Sequence, residues 1–265
     1  MPQKPDAVER LKSRLKRTLS PRQRASLRSW LAGPLAFLYR NNLRRLAQIH
    51  GSDKWSEHWY CKHYEQHFAA LRRKRITLLE IGVGGNEDSH GGGASLRMWR
   101  KYFSQGRIYG VDLYDKSVHN ERRIHTFQGD QTDVLFLRGI VDQIGRPDII
   151  IDDGSHVNAH VIKSFQVLFP LLAEQGIYVV EDMQTSYWPD YGGNSNDLNS
   201  RDTSMSFLKA LTDGMNHIEY ARPDYMPSYF DQHIVAMHFY HNLVFIYKGH
   251  NDEQQHREVP HQARA

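Results

Sequence analysis

The chain has 265 residues, 40% of them apolar and 24% charged, and a net charge of +4. That composition belongs to a globular chain with a sizeable core, not to a disordered one, and no apolar run approaches the roughly 20 residues of a membrane span. A single cysteine, Cys61, excludes an intramolecular disulfide framework and any cysteine-cluster metal site.

The charge is unevenly spread. Residues 1–50 carry twelve Lys or Arg against Asp6 and Glu9, a local balance of +10, so the rest of the chain sums to −6. An acidic main body argues against a nucleic-acid partner. Within the basic segment Val8, Leu11, Leu15 and Leu19 recur at helical spacing, the pattern of an amphipathic helix. Such a helix packs on the domain or on a second copy; peripheral contact with an anionic membrane or substrate and a partly disordered arm are the alternatives. Pro21 separates it from a second helix over Arg22–Leu31, and a third is expected over Arg40–Ile49 before Gly51-Ser52-Asp53 breaks the chain. Trp55 to Ala70, rich in aromatics and histidines, reads as a helix over the mouth of a site.

From residue 76 the rhythm changes. Short apolar runs at Ile76–Val83, Arg107–Asp112, Ile124–Gln128, Asp148–Asp152 and Gly176–Asp182 alternate with helical stretches at Ala94–Phe103, Asp133–Gln143 and Val157–Leu172. Strands alternating with crossover helices make a parallel sheet. Ile234–Tyr240 and Leu243–Tyr247 flank His241-Asn242 as an antiparallel hairpin. The expected fold is therefore α/β: a Rossmann-like, mostly parallel seven-stranded sheet closed by a C-terminal hairpin, the form of a class I methyltransferase core, with N-terminal helices added. The expected organisation is a basic helical segment over 1–50, a catalytic domain over 51–248 and a polar tail over 249–265.

The first strand runs into Glu80-Ile81-Gly82-Val83-Gly84-Gly85. Glycines there let the backbone turn tightly and approach a ligand beyond the carboxyl ends of the strands, and Gly82 and Gly84 are the candidates. Asp112 ends the second strand, where a carboxylate can accept from a ribose diol. Asp130 follows the third, on the adenine side, and Asp152 ends the fourth. Together with Glu80 they form a candidate nucleoside-cofactor set; the bland alternative makes them strand-end caps. The segment Gly84–Gly93 is either a mobile lid or a surface insertion.

Asp152-Asp153-Gly154-Ser155-His156 follows the fourth strand and Glu181-Asp182 the fifth. Adjacent strand ends lie about 5 Å apart, so at least three carboxylates converge on the cofactor rim. Like charges that close raise one another's proton affinity unless a cation compensates them, and an all-oxygen set suits magnesium or a similar divalent ion. His156 follows Asp153 by three residues, near enough to serve as a base.

The stretch IDDGSH, followed by VVEDMQTSYW, resembles the metal-dependent sugar O-methyltransferases, which include macrolide-sugar enzymes and rhamnosyl and mannosyl methyltransferases. Gly51-Ser52-Asp53-Lys54 with His58 and Tyr64 resembles the segment ahead of that family's core. The resemblance covers roughly residues 50–248. It implies S-adenosylmethionine as cofactor, Asp153, Glu181 and Asp182 as metal ligands, His156 as base, and cofactor positions at Glu80, Asp112 and Asp130. His160 is a second histidine expected to pack or to bind Asp152. The acceptor implied is a sugar hydroxyl of a polysaccharide, glycolipid or glycosylated natural product, a methylmannose polysaccharide precursor among them; a catechol-like hydroxyl is the alternative. The weaker acceptor-side candidates are Tyr187, Trp188, Tyr191, Asn194 and Tyr225. A cytoplasmic location and a homo-oligomer complete the expectation. The long additional N-terminal domain of the macrolide enzymes has no counterpart in the sequence, where the short basic segment stands instead.

Overall fold

The computed structural model describes residues 33–252. The helices expected over 8–19 and Arg22–Leu31, and most of the polar tail, lie outside the described residues. The described residues divide into two compact units, the first ending at residue 69 and the second beginning at residue 70.

In the first unit, α1 (Leu43–His50) begins where Asn42 adopts an extended backbone and its side chain accepts from the Arg45 amide, and it ends at Gly51 with φ 78°. The helix α2 (Cys61–Phe68) buries Cys61, Tyr64 and Phe68. The helix expected over Trp55–Ala70 is shorter than that: residues 53–57 are in turns and Ser56 has φ 103°, which no right-handed helix accommodates.

In the second unit, β1 (Thr77–Ile81), β2 (Arg107–Asp112), β3 (Ile124–Gln128), β4 (Ile149–Asp152), β5 (Ile177–Val180), β6 (Ile234–Tyr240) and β7 (Leu243–Lys248) form one sheet in the order β3-β2-β1-β4-β5-β7-β6. The first five strands are parallel and β7 pairs antiparallel with both β5 and β6. Strands β1, β4 and β5 are buried along their whole length, which is why they read as continuous apolar runs rather than alternating ones. The connections carry α3 (Ala94–Tyr102), α4 (Val134–Ile144) and α5 (Asn158–Leu168); Asp133 starts α4 by accepting from the amides of Leu135 and Phe136. Leu137, Ile140 and Val141 of α4 join Val161, Phe165 and Leu168 of α5 in one core with Ile150 and Tyr178 of the sheet. Two further helices, α6 (Ser204–Gly214) and α7 (Tyr229–His233), were not expected; a Thr203 cap opens the first and a Ser228/Asp231 capping box the second.

The register positions the site. Ile81, Asp152 and Val180 are neighbours across β1, β4 and β5. Gly82, Asp153 and Glu181 therefore leave the sheet side by side, and the Asp153 amide still donates to Ile81 O at 2.9 Å and the Glu181 amide to Asp152 O at 3.0 Å.

Candidate active site at the carboxyl ends of the strands

Two overlapping groups of potential ligands form on this rim. Asp153, His156 and Asp182 make one; Glu80, Asp153 and Glu181 make the other; within each group the ligand atoms all lie within 4.8 Å of one another. Asp153 belongs to both. The three ligands implied by the resemblance do not form a single group among the described residues: Asp182 groups with Asp153 and His156, Glu181 with Asp153 and Glu80. Glu80 and Glu181 are buried, at 0% and 3% exposure. Oxygen donors crowded into such a site fit a hard divalent cation, which offsets the repulsion that would otherwise drive protons onto them.

The Nε2 of His156 lies 3.5 Å from Asp182 Oδ2. Both residues have left-handed backbones, φ 58° for His156 and φ 54° for Asp182. Non-glycine residues rarely adopt that conformation, and it persists where the surrounding structure over-determines it, often at functional sites. Here it turns the two side chains towards each other out of adjoining strand ends.

The loop that bears His156 is braced from below. Asp152 is 1% exposed, and burial pushes its carboxyl up to about 6. One oxygen accepts from Ser164 Oγ and, at 3.4 Å, from Tyr178 Oη; the other accepts from Gln131 Nε2 at 3.3 Å. Gln131 Oε1 in turn accepts from the Ser155 amide at 2.8 Å. Asp152, expected among the cofactor residues, is buried among these partners and through Gln131 anchors the turn of residues 153–156. His160 was expected to pack or to bind Asp152, and its Nδ1 lies 3.0 Å from Ser155 Oγ.

The glycine turn packs against the acidic loop directly. Gly82 has φ 91°, and a Cβ there would fall 1.9 Å from Asp153 O, so only glycine allows β1 and β4 to end in contact. Gly84 also has positive φ, 83°. Glu80 accepts from Ser95 Oγ at 2.8 Å and Trp99 Nε1 at 3.3 Å, which aims it at the rim shared with Asp153 as well as at the turn. Asp112 accepts from the Val83 amide through Oδ2 and the Tyr114 amide through Oδ1, both at 3.0 Å, and its remaining lone pairs suit a diol. Hydrogen bonds from the Thr132 amide and hydroxyl, at 2.7 and 2.8 Å, hold the Asp130 carboxyl below its ordinary range.

The acceptor-side candidates do not come together in one wall. Tyr187 and Trp188 are 37% and 49% exposed, and Trp188 lies 6.0 Å from Tyr191, ring to ring. The Asn194 side chain caps its own turn, accepting from the amides of Asn196 and Asp197. Tyr225 donates to Asp231 Oδ2 at 2.6 Å, a bond that pushes its phenol up to about 12. It lines a separate open cleft of about 820 Å³ with Arg201, Phe207, Tyr220 and Arg222. A further residue, not singled out from the sequence, is Asn158, 1% exposed. It donates to Thr185 O and Tyr191 O at 3.1 and 2.9 Å and accepts from the amide and hydroxyl of Ser204, so it ties the segment after β5 to α5 and α6.

A parallel sheet ending in a hairpin, with a glycine turn and an acidic rim on one edge, defines a class I methyltransferase fold. Comparison with known proteins narrows this. The chain is 50% identical over 210 residues to the 8-demethyl-8-alpha-L-rhamnosyl tetracenomycin-C 2'-O-methyltransferase of Streptomyces olivaceus, covering 79% of this chain and 55% of that one. It is 49% identical over 197 residues to the mycinamicin VI 2''-O-methyltransferase of Micromonospora griseorubida, covering 74% and 49%. The MycE methyltransferase of the mycinamycin biosynthetic pathway, solved in complex with Mg and SAH, superposes with a TM-score of 0.78 at 46% identity over 80% of this chain and 56% of that one. No family profile matches the chain. Over the matched region the chain is similar to these sugar O-methyltransferases, and it spans about half the length of the curated relatives it matches.

Proposed function

We propose that this protein transfers the methyl group of S-adenosylmethionine to a sugar hydroxyl of a glycosylated natural product, with a divalent cation such as magnesium at the acidic rim. The observation that carries the reading is the convergence of His156 and Asp182, both on left-handed backbone, on the carboxylate they share with the second group, Asp153. The relatives' names put their acceptors among rhamnosyl tetracenomycins and mycinamicins, which favours a glycosylated small molecule over a polysaccharide precursor.

In this reading Glu80, Gly82, Gly84, Asp112 and Asp130 hold the cofactor, while Asp153, Glu181 and Asp182 hold the cation. A cation bound there would acidify a nearby hydroxyl and offset the charge that develops on its oxygen. His156 takes the hydroxyl proton on Nε2. The oxygen forms its bond to the methyl carbon as the carbon–sulfur bond breaks, and the electron pair of that bond neutralises the sulfonium to give S-adenosylhomocysteine. Alignment of oxygen, carbon and sulfur supplies much of the rate. Asp152, through Gln131 and Ser155, holds the His156 turn in place, and the rings of Tyr187, Trp188 and Tyr191, which follow the rim in sequence, are this reading's candidates for contact with the sugar. No described helix is long and apolar enough to cross a membrane. The cytoplasm, where the cofactor is made, is the location this reading favours, and a homo-oligomer is the assembly the resemblance suggests.

The test is transfer of labelled methyl to a panel of rhamnosides, mannosides, macrolide glycosides and catechols, with magnesium and with chelator. Magnesium-dependent labelling of a glycoside is expected. Labelling of catechols alone, or labelling indifferent to chelator, would overturn the reading.

A further inference from the structure

The glycine-rich segment 84–93 has the composition of a mobile loop, and most of its side chains are exposed. Its backbone is nevertheless fastened. The Lys116 ammonium, 1% exposed, donates to Asn86 O and to Asp88 O, each at 2.7 Å. The His119 Nε2 lies 2.9 Å from Gly91 O, and its Nδ1 lies 3.3 Å from the Arg97 guanidinium, which also donates to Gly92 O at 3.0 Å. These contacts fix the tautomer of His119. A guanidinium only donates, so Nδ1 accepts, and the ring proton sits on Nε2 facing the Gly91 carbonyl.

Four loop carbonyls thus meet three basic side chains. The two ends of the loop also close on each other: a Cβ at Gly92 would fall 2.3 Å from Gly84 O, and one at Gly85 would fall 2.3 Å from the Gly91 carbonyl carbon. A Cβ at Gly93 would meet His119 Cγ at 2.8 Å. Burying an ammonium group is costly unless dipoles compensate it, and a decorative insertion gives no reason to do so. Lys116 and His119 come from the connection that follows Asp112, the last residue of β2, whose carboxylate holds the Val83 amide at the root of the loop.

We propose that Arg97, Lys116 and His119 are positioning residues that hold segment 84–93 in a ligand-ready shape before the cofactor arrives, so that the segment is a preformed wall of the S-adenosylmethionine pocket and not a lid. This rests on the cofactor reading given above. Turning the carbonyls onto side-chain donors leaves the amides of Gly84, Gly85 and Asn86, which donate to no protein acceptor among the described residues, available to an anionic group such as the cofactor carboxylate.

The test uses the full chain, with S-adenosylhomocysteine as the probe. In ligand-free protein the backbone-bonded amides of the segment, those of Asp88, Gly91 and Gly93, are expected to exchange slowly with solvent deuterium. Lys116→Met, which keeps the volume and removes the donor, is expected to speed that exchange and to weaken S-adenosylhomocysteine binding about tenfold, the size of one lost charged hydrogen bond. Exchange elsewhere in the sheet is expected to stay unchanged. His119→Ala on the half-buried side serves if the lysine variant fails to fold, and His119→Gln, which can donate to Gly91 O and accept from Arg97, is expected to restore most of the affinity. Fast exchange of the Asp88, Gly91 and Gly93 amides in the parent protein, or variants that bind within twofold of the parent, would overturn the clamp while leaving the cofactor reading intact. A parent that binds no S-adenosylhomocysteine would overturn both.

Discussion

Asp153 and Glu181 leave neighbouring strands in register, on backbone whose amides continue the ladder of the sheet, and His156 and Asp182 follow them on left-handed backbone. Tyr187, Trp188 and Tyr191 follow them in sequence but ride a chain of short 3-10 turns, with their backbone anchored by Asn158, the first two exposed and Tyr191 half-buried. The two stretches are contiguous, yet the first has its side-chain geometry dictated by the sheet and the second only its path. A rim that must align three atoms for transfer belongs on rigid elements, and a surface that reads one sugar among many belongs on a loop.

The comparison breaks first at His156. His156→Ala should slow methyl transfer by about a hundredfold or more, the range of a lost general base, with S-adenosylhomocysteine affinity nearly unchanged. Comparable turnover in parent and variant would remove the histidine from the reaction. Next comes the brace beneath it. Asp152→Ala strips partners from Ser164, Tyr178 and Gln131 at once and should cost about 2–4 kcal/mol in urea unfolding; a loss below about 1 kcal/mol would mean that the network does not stiffen the rim. On the loop side the effects should be smaller and of another kind. Trp188→Ala should raise the acceptor KM a few-fold with little change in kcat, as an exposed stacking surface does, and a fall in kcat alone would move Trp188 to the chemical step. Smallest of all, Tyr225→Phe should cost about 1 kcal/mol of stability through the lost bond to Asp231 and leave transfer unchanged. A raised acceptor KM there would return Tyr225 to the acceptor wall.

Much of the fold was legible in the sequence because buried parallel strands advertise themselves. The runs at 107–112 and 124–128 match β2 and β3 residue for residue, and the hairpin ends within one residue of its expected limit. The acidic rim was legible too, since two acidic pairs end successive strands. What the sequence hid depends on backbone dihedrals and on long-range partners. The left-handed conformations of His156 and Asp182 fall on residues that give no local sign of them. The inward turn of Asp152 depends on Ser164, Gln131 and Tyr178, from three other elements. Glu80 read as a cofactor residue, and only the packing of β1 against β4 brings it to the same carboxylate group as Glu181. Helices α6 and α7 were missed because Ser, Thr and Asp, their capping residues, resemble loop composition.

Because Asp153 alone belongs to both groups of ligands, it carries the account. Manganese binding, followed by the paramagnetic signal of the free ion, measures its role in the parent and in Asp153→Asn. One ion per chain, displaced by magnesium and bound far more weakly by the variant, is the expected result. Equal affinity in the two proteins, or no binding to either, would contradict a cation at the centre of this rim.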